Sequence, residues 1–128
     1  MEYLIYGFNK LKLQEEGKMN AKDLITTLAN AINNKQMVMV RFKTRDNQIL
    51  LRKCAPLDYS LSKRAKTPKF KVHFWDFGSS KQNHVLSLDY EEIIELSVIN
   101  ESFKPKDFIT WDTKASPWLI IRDWGIYS

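Results

Sequence analysis

The sequence predicts an α+β fold: a small antiparallel β-barrel with one N-terminal capping helix. Three observations predict it. A single stretch, Asn20 to Asn34, carries a helical apolar stripe. Five or six short stretches after it alternate apolar and polar residues, the period of strands with one face inward. No second helix separates those strands, so the parallel βαβ arrangement is excluded and a closed antiparallel sheet is expected.

The helix has both its signals. Asn20 can cap, Asp23 sits at the third helical position near the positive helix end, and Leu24, Ile25, Leu28, Ala29 and Ile32 form the stripe. Met37 to Phe42 is a strand with Val38, Val40 and Phe42 on one face. Thr44 to Gln48 is its turn, Ile49 to Ala55 its partner, and Pro56 is expected to end the pairing. A loop, Asp58 to Pro68, carries Lys63-Arg64-Ala65-Lys66.

The central feature is a hairpin from Lys69 to Leu88. Phe70, Val72 and Phe74 alternate with Lys71, His73 and Trp75. Gly78 to Lys81 is turn chemistry, and His84, Leu86 and Leu88 lie on the returning strand. Asp89 is a cap with Glu92 three residues on. Ile94, Leu96 and Val98 share one face of a strand spanning Ile93 to Ile99. Phe103 to Phe108 is a tight connection, and Trp118 to Ile121 is read as a last strand. The domain so defined covers residues 20–110. Residues 111–128 form a Trp-rich tail packed on it through Trp111, Trp118 and Trp124, which alternatively offer a surface for self-association or a protein partner.

Residues 1–19 read as an N-terminal extension, with a short strand possible over Tyr3 to Phe8. Gln14-Glu15-Glu16-Gly17-Lys18-Met19 can be encoded by a purine-rich tract ending in a start codon, similar to a bacterial ribosome-binding site. Met19 is therefore a candidate start of the main product, which the intact mass of the natively expressed protein decides.

Composition narrows the function. The apolar fraction is 44% and the aromatic fraction 12%, enough for an ordinary core in 128 residues. No apolar run approaches the ~20 residues of a membrane span, and the N-terminus lacks the basic-then-apolar order of a signal peptide, so a cytoplasmic protein is expected. Cys54 is the single cysteine, which suits a reducing compartment and reads as a small buried hydrophobe. His73 and His84 have no cysteine in register and no carboxylate at ligand spacing, so no metal site is expected. Nor is a Ser/His/Asp arrangement, a phosphate loop or a paired-carboxylate motif visible, and neither enzymatic activity nor a cofactor is expected.

Charge is uneven. The chain carries +5, yet Arg41 to Lys81 holds eleven Lys/Arg against three Asp/Glu, while Gln82 to Ser128 holds four against eight. Small barrels that bind single-stranded nucleic acid combine such basic charge with exposed rings under the bases. The candidate binding set read from charge and the hairpin's polar face is Arg41, Arg52, Lys53, Lys69, Lys71, His73 and Trp75.

The order of these segments resembles the WYL domain, an SH3/Sm-like barrel of bacterial transcription regulators and phage-defence proteins. The resemblance runs from about Lys22 to Phe108. It rests on the opening LITTLANAINNKQMVMVRF, on Arg52-Lys53-Cys54-Ala55-Pro56-Leu57, on Leu88-Asp89 within His84 to Ile93, and on Phe103 to Phe108. The family's Trp-Tyr-Leu strand falls on Lys69-Phe70-Lys71, and its second pair of arginines falls on His84 and Ser87. The resemblance implies a site for nucleic acid, a nucleotide or another anionic ligand, with Arg52 carried over directly, Phe70 in part and His84 by position. It implies a regulatory module, here expected to stand alone, because about twenty residues precede the helix and no helix-turn-helix fits there.

Overall fold

The computed structural model describes residues 19–62, 69–78 and 84–128. The candidate strand at Tyr3 to Phe8, the basic loop Lys63 to Lys66 and most of the Gly78 to Lys81 turn lie outside them.

Helix α1 spans Ala21–Asn34. Asn20 caps it as expected, its side-chain oxygen accepting the Asp23 N–H at 2.8 Å. Leu24, Leu28, Ala31 and Ile32 are its buried residues, so the stripe is centred one step away from Ile25 and Ala29, which are half-buried. Lys35 closes the helix in the left-handed conformation (φ 53°), its N–H returning to the carbonyls of Ala31 and Ile32.

Five strands follow: β1 (Gln36–Lys43), β2 (Ile49–Ser62), β3 (Lys69–Asp76), β4 (His84–Asp89) and β5 (Ile93–Ser102). They form one antiparallel sheet in the order β4-β3-β2-β1-β5. The α+β fold expected from the sequence is present as one helix on a five-stranded antiparallel sheet, which is open among the described residues with β4 and β5 at its edges.

β2 corrects an expectation. It does not stop at Pro56 but runs to Ser62. Its first half pairs with β1 from Ile49 to Cys54, and its second half pairs with β3 from Cys54 onward. Pro56 lies past the end of the β1 ladder and beside a register shift between Pro56 and Asp58, the bulge position where a missing N–H is tolerated. A bulge also alters β5. The shift between Arg41 and Phe42 sets Ile93 opposite Phe42, so Ile93 is buried and Ile94 half-buried. Leu96 and Val98 stay opposite Val40 and Val38, the first buried and the second half-buried, and Ile99, beside a second shift between Gln36 and Val38, is buried.

The hairpin β3–β4 has the predicted inward face. Val72 and Phe74 are fully buried. The turn after it is a capping box on a single 3₁₀ turn, Tyr90–Glu92, with the Asp89 N–H donating to Glu92 Oε1 at 2.9 Å. α1 packs on β2, β1 and β5, and its Leu24, Leu28 and Ile32 join Val38, Val40, Phe74 and Leu96 in one core. Cys54 is in that core, and burial pushes its thiol far above the ordinary range, leaving it unreactive.

The C-terminal segment contains no strand at Trp118 to Ile121. Its backbone is held by side chains instead: Asp58 accepts the N–H groups of Leu119 (2.7 Å) and Ile120 (2.9 Å), and Asn33 Nδ2 donates to Ile121 O at 3.2 Å. A chain of rings then runs from Trp75 to Trp111, Trp118, Trp124 and Phe103, with centroid separations of 5.5 to 6.3 Å. Arg122 lies over Trp118 (3.9 Å to the centroid) and Trp124 (4.6 Å).

Candidate ligand-binding site

The sequence-predicted residues do not converge on one site. Residues directly opposite in an antiparallel pair share a face. Arg52 is opposite Val40, on the core face, and Cys54 is opposite both Val38 and Asp76. Arg52 therefore meets Asp76 at one end of the sheet. Its Nε lies 3.7 Å from the buried Asp76 carboxylate, and its Nη1 donates to Gly78 O at 2.8 Å. Asp76 in turn accepts the Gly78 N–H at 2.7 Å. A Cβ on Gly78 would come within 3.1 Å of Arg52 Cδ, a tight approach that the Arg52 side chain would have to relieve by a few tenths of an ångström. The guanidinium is committed to the chain itself. His84 sits in register with Asp76 at the same end.

Arg41 and Lys53 project from the opposite face, each beside a carboxylate of β5: Arg41–Glu95 at 3.6 Å and Lys53–Glu101 at 2.8 Å. These exposed pairs contribute little to stability but spread the charge. Trp75 is on this face too. Its ring stacks on Phe108 at 5.4 Å and 18°, with Trp111 at 6.3 Å, so packing within the chain occupies it in place of a ligand's base.

His73 is held between two serines, with Ser60 Oγ 2.8 Å from Nε2 and Ser87 Oγ 2.7 Å from Nδ1. Burial lowers its pKa; Asp58 opposes that and Lys71 adds to it. The unfolded chain therefore binds the proton more tightly, and stability falls as pH drops through 6.5 and below. His73→Gln is expected to lose less stability than the wild type between about pH 7 and about pH 5. Thermal unfolding of both across that range checks it; parallel curves would refute it.

The remaining predicted residues, Lys69, Phe70 and Lys71, do gather. Phe70 stacks on Tyr90 (4.9 Å, 22°) and meets Tyr59 edge-on (6.1 Å). Together with Ala21, Lys69, Asp89 and Glu91, Phe70 and Tyr90 line a groove of about 390 Å³ between the start of α1 and the β3–β4 edge. Lys71 Nζ pairs with Asp89 Oδ1 at 2.9 Å, neutralising one of the two carboxylates. Lys69 is exposed and has no carboxylate within ion-pair distance among the described residues. The Tyr90 hydroxyl donates to Met19 O, which fixes the ring against the helix start, and burial raises its pKa. Tyr90 and Glu91 carried no sequence signal beyond belonging to the Asp89 turn, because the docking of that turn on α1 is tertiary. β3 has eight residues, so at ~3.3 Å per residue the groove lies about 23 Å along the strand from the Arg52 end.

The groove can do three things chemically. Paired rings offer an apolar wall to a planar group, an unpaired ammonium offers a partner for an anion, and Glu91 offers an acceptor for hydroxyl or amino donors. Among the described residues, no three metal-ligating side chains cluster and no helix is long and apolar enough to cross a membrane.

No protein-family model matches the chain, and no curated protein sequence matches it. Among solved structures, it is similar to proteasome accessory factor B/C (PafBC) of Arthrobacter aurescens, with a TM-score of 0.50 and 13% sequence identity. The match covers 91% of this chain and 16% of PafBC. At that identity the likeness shows a shared fold: the helix and open antiparallel sheet of this chain correspond to a small part of a much longer protein.

Proposed function

We propose that the chain is a regulatory, WYL-like binding module that takes a nucleotide or a single-stranded oligonucleotide at the Lys69–Phe70–Tyr90 groove. The fold likeness to PafBC and the segment order of the sequence support a regulatory module of this kind. The single observation that carries the ligand class is the unpaired Lys69 ammonium beside the stacked Phe70–Tyr90 rings. A base packs on the rings, a phosphate meets Lys69, and Glu91 accepts from a ribose hydroxyl or base amino group. No catalytic step is assigned: the module binds, and the consequence is conformational or passed to a partner.

The test is a fluorescence titration with labelled single-stranded DNA and RNA and with nucleotides, at low and physiological salt. Phe70→Ala is expected to weaken binding by about 1–3 kcal/mol, the usual contribution of one stacked base. Lys69→Glu should weaken it at low salt and flatten its salt dependence. Binding that neither substitution changes would refute the site.

A second reading is favoured by the tail. Ile121 is 87% exposed and Ile126 81%, whereas Trp124 is buried and Trp111 and Trp118 are half-buried, so a protein-binding surface there is led by the isoleucines. Light scattering with Ile121→Glu against wild type distinguishes it: a wild-type dimer broken by the substitution supports association through the tail.

A further inference from the structure

A second groove, on the far side of α1 from its N-terminus, is built from parts that the first reading does not use. It measures about 440 Å³, and Lys35, Lys104, Lys106, Asp123, Trp124 and Tyr127 line it. Three lysines and one aspartate therefore contribute to one groove. None of the three lysines has a carboxylate within ion-pair distance among the described residues.

Like charges do not gather without cost, so what holds them matters. Lys35 is the C-cap of α1, and its carbonyl accepts the Phe103 N–H at 3.0 Å, which ties the helix end to the end of β5. Lys104 and Lys106 flank Pro105, the first residue of a 3₁₀ turn closed by Asp107 N–H to Lys104 O (2.9 Å) and Ile109 N–H to Pro105 O (2.9 Å). Pro105 is buried, so the turn is anchored and the two lysines flanking it are exposed. Trp124 is fixed by its Nε1–H bond to Ile32 O at 2.9 Å. The backbone thus brings three cations from two separate segments to one aromatic-walled groove, two of them, Lys104 and Lys106, from the Gln82 to Ser128 stretch that is otherwise acidic.

We propose that this groove binds the phosphoryl oxygens of a polyphosphate, with Lys35, Lys104 and Lys106 as its cationic contacts. The ligand class follows from the charge: several ammonium groups at one groove suit an anion with more than one charge, and lysines bind phosphate as point charges without demanding planar geometry. The phosphates can belong to a free oligophosphate or to a nucleic-acid backbone. The inference does not rest on the Lys69 groove and stands or falls separately.

The experiment is a titration of the ¹⁵N-labelled full chain with inorganic triphosphate, followed by amide and indole shifts, at about 50 mM and about 200 mM salt. The expected result is saturable shifts at the Lys35, Lys104 and Lys106 amides and the Trp124 indole N–H, weakening at the higher salt. The variant Lys35→Gln/Lys104→Gln/Lys106→Gln, with its remaining spectrum intact, is expected to lose at least about tenfold in affinity, about 1.4 kcal/mol. Lys69→Glu should leave these shifts unchanged, which separates the two grooves. A parallel arm with single-stranded DNA identifies the source: tighter binding than triphosphate at the same resonances means a backbone, equal or weaker binding a free oligophosphate. Absent shifts at Trp124 and the three lysines, or unchanged affinity in the triple variant, would overturn the proposal.

Discussion

Asp58→Ala is expected to destabilise the protein by about 3–5 kcal/mol, the cost of breaking a buried ion pair from one side. Asp58 is 8% exposed and does three things at once. It accepts the N–H groups of Leu119 and Ile120 and lies 3.6 Å from Arg122 Nη2. Arg122 has no exposed side-chain surface. Its Nε donates to Ile120 O at 3.1 Å, while both Nη groups lack a hydrogen-bond acceptor among the described residues. Burial lowers its pKa to about 10, even though Asp58 raises it, so desolvation already outweighs the ion pair. Removing Asp58 leaves that charge with no opposing carboxylate and two backbone donors without acceptors. The double variant Asp58→Ala/Arg122→Met should recover part of the loss, since an apolar side chain in a buried pair's place is often neutral or better. Denaturant unfolding of the wild type, both single variants and the double variant measures the coupling. A loss below about 1 kcal/mol in Asp58→Ala would show that the tail is held by its rings and the Asn33–Ile121 bond without Asp58.

Asp58 also marks the boundary of what the sequence disclosed. α1 was legible because its cap and stripe are local, and β1 and the β3–β4 hairpin because strict alternation survives into the sheet. Pro56 misled because its rule presumes partners on both sides, and β1 ends its pairing with β2 at Cys54. Ile94 misled because a bulge shifts a strand's inward face without altering its composition, whereas Val98 stays opposite Val38 and is half-buried there. The tail read as a strand because Trp118 to Ile121 is apolar, but its backbone groups bond to the Asp58 and Asn33 side chains across the fold. The same limit applies to the site. Lys69 and Lys71 were candidates through charge and Phe70 through the family resemblance; Lys69 and Phe70 line the groove, and Lys71 pairs with its Asp89. Arg52, which the family resemblance made the leading ligand contact, is bound to Asp76 and Gly78, a contact 26 residues away in sequence. Tyr90 and Lys35 joined grooves only through tertiary docking, which no local pattern encodes.

The tail's stability should depend most on a single ring. Trp124→Ala is expected to cost about 3–5 kcal/mol, the range for deleting a large aromatic from a core. Trp124 is 4% exposed, packs edge-on to Phe103 (5.5 Å) and Trp118 (5.8 Å), supports the Arg122 guanidinium, and bonds Ile32 O near the C-terminal end of α1. Trp124→Phe divides these roles. It retains a ring and most of the packing but strips the indole N–H, leaving the Ile32 carbonyl with the Lys35 N–H (3.2 Å) as its remaining donor, a loss of about 0.5–1.5 kcal/mol for one hydrogen bond. The two variants should therefore fall in order, wild type above phenylalanine above alanine, in chemical denaturation. Because native domains are stable by only about 5–15 kcal/mol, the alanine variant should be partly unfolded under mild denaturant while its hairpin sequence is untouched. Equal stability of the phenylalanine variant and the wild type would show that the Ile32 bond contributes nothing. An alanine variant within about 1 kcal/mol of wild type would show that the C-terminal segment is dispensable to the sheet. The expected result is the reverse: the ring network from Trp75 to Phe103 makes the tail part of the same cooperative unit as α1 and the sheet, although no strand pairing joins them.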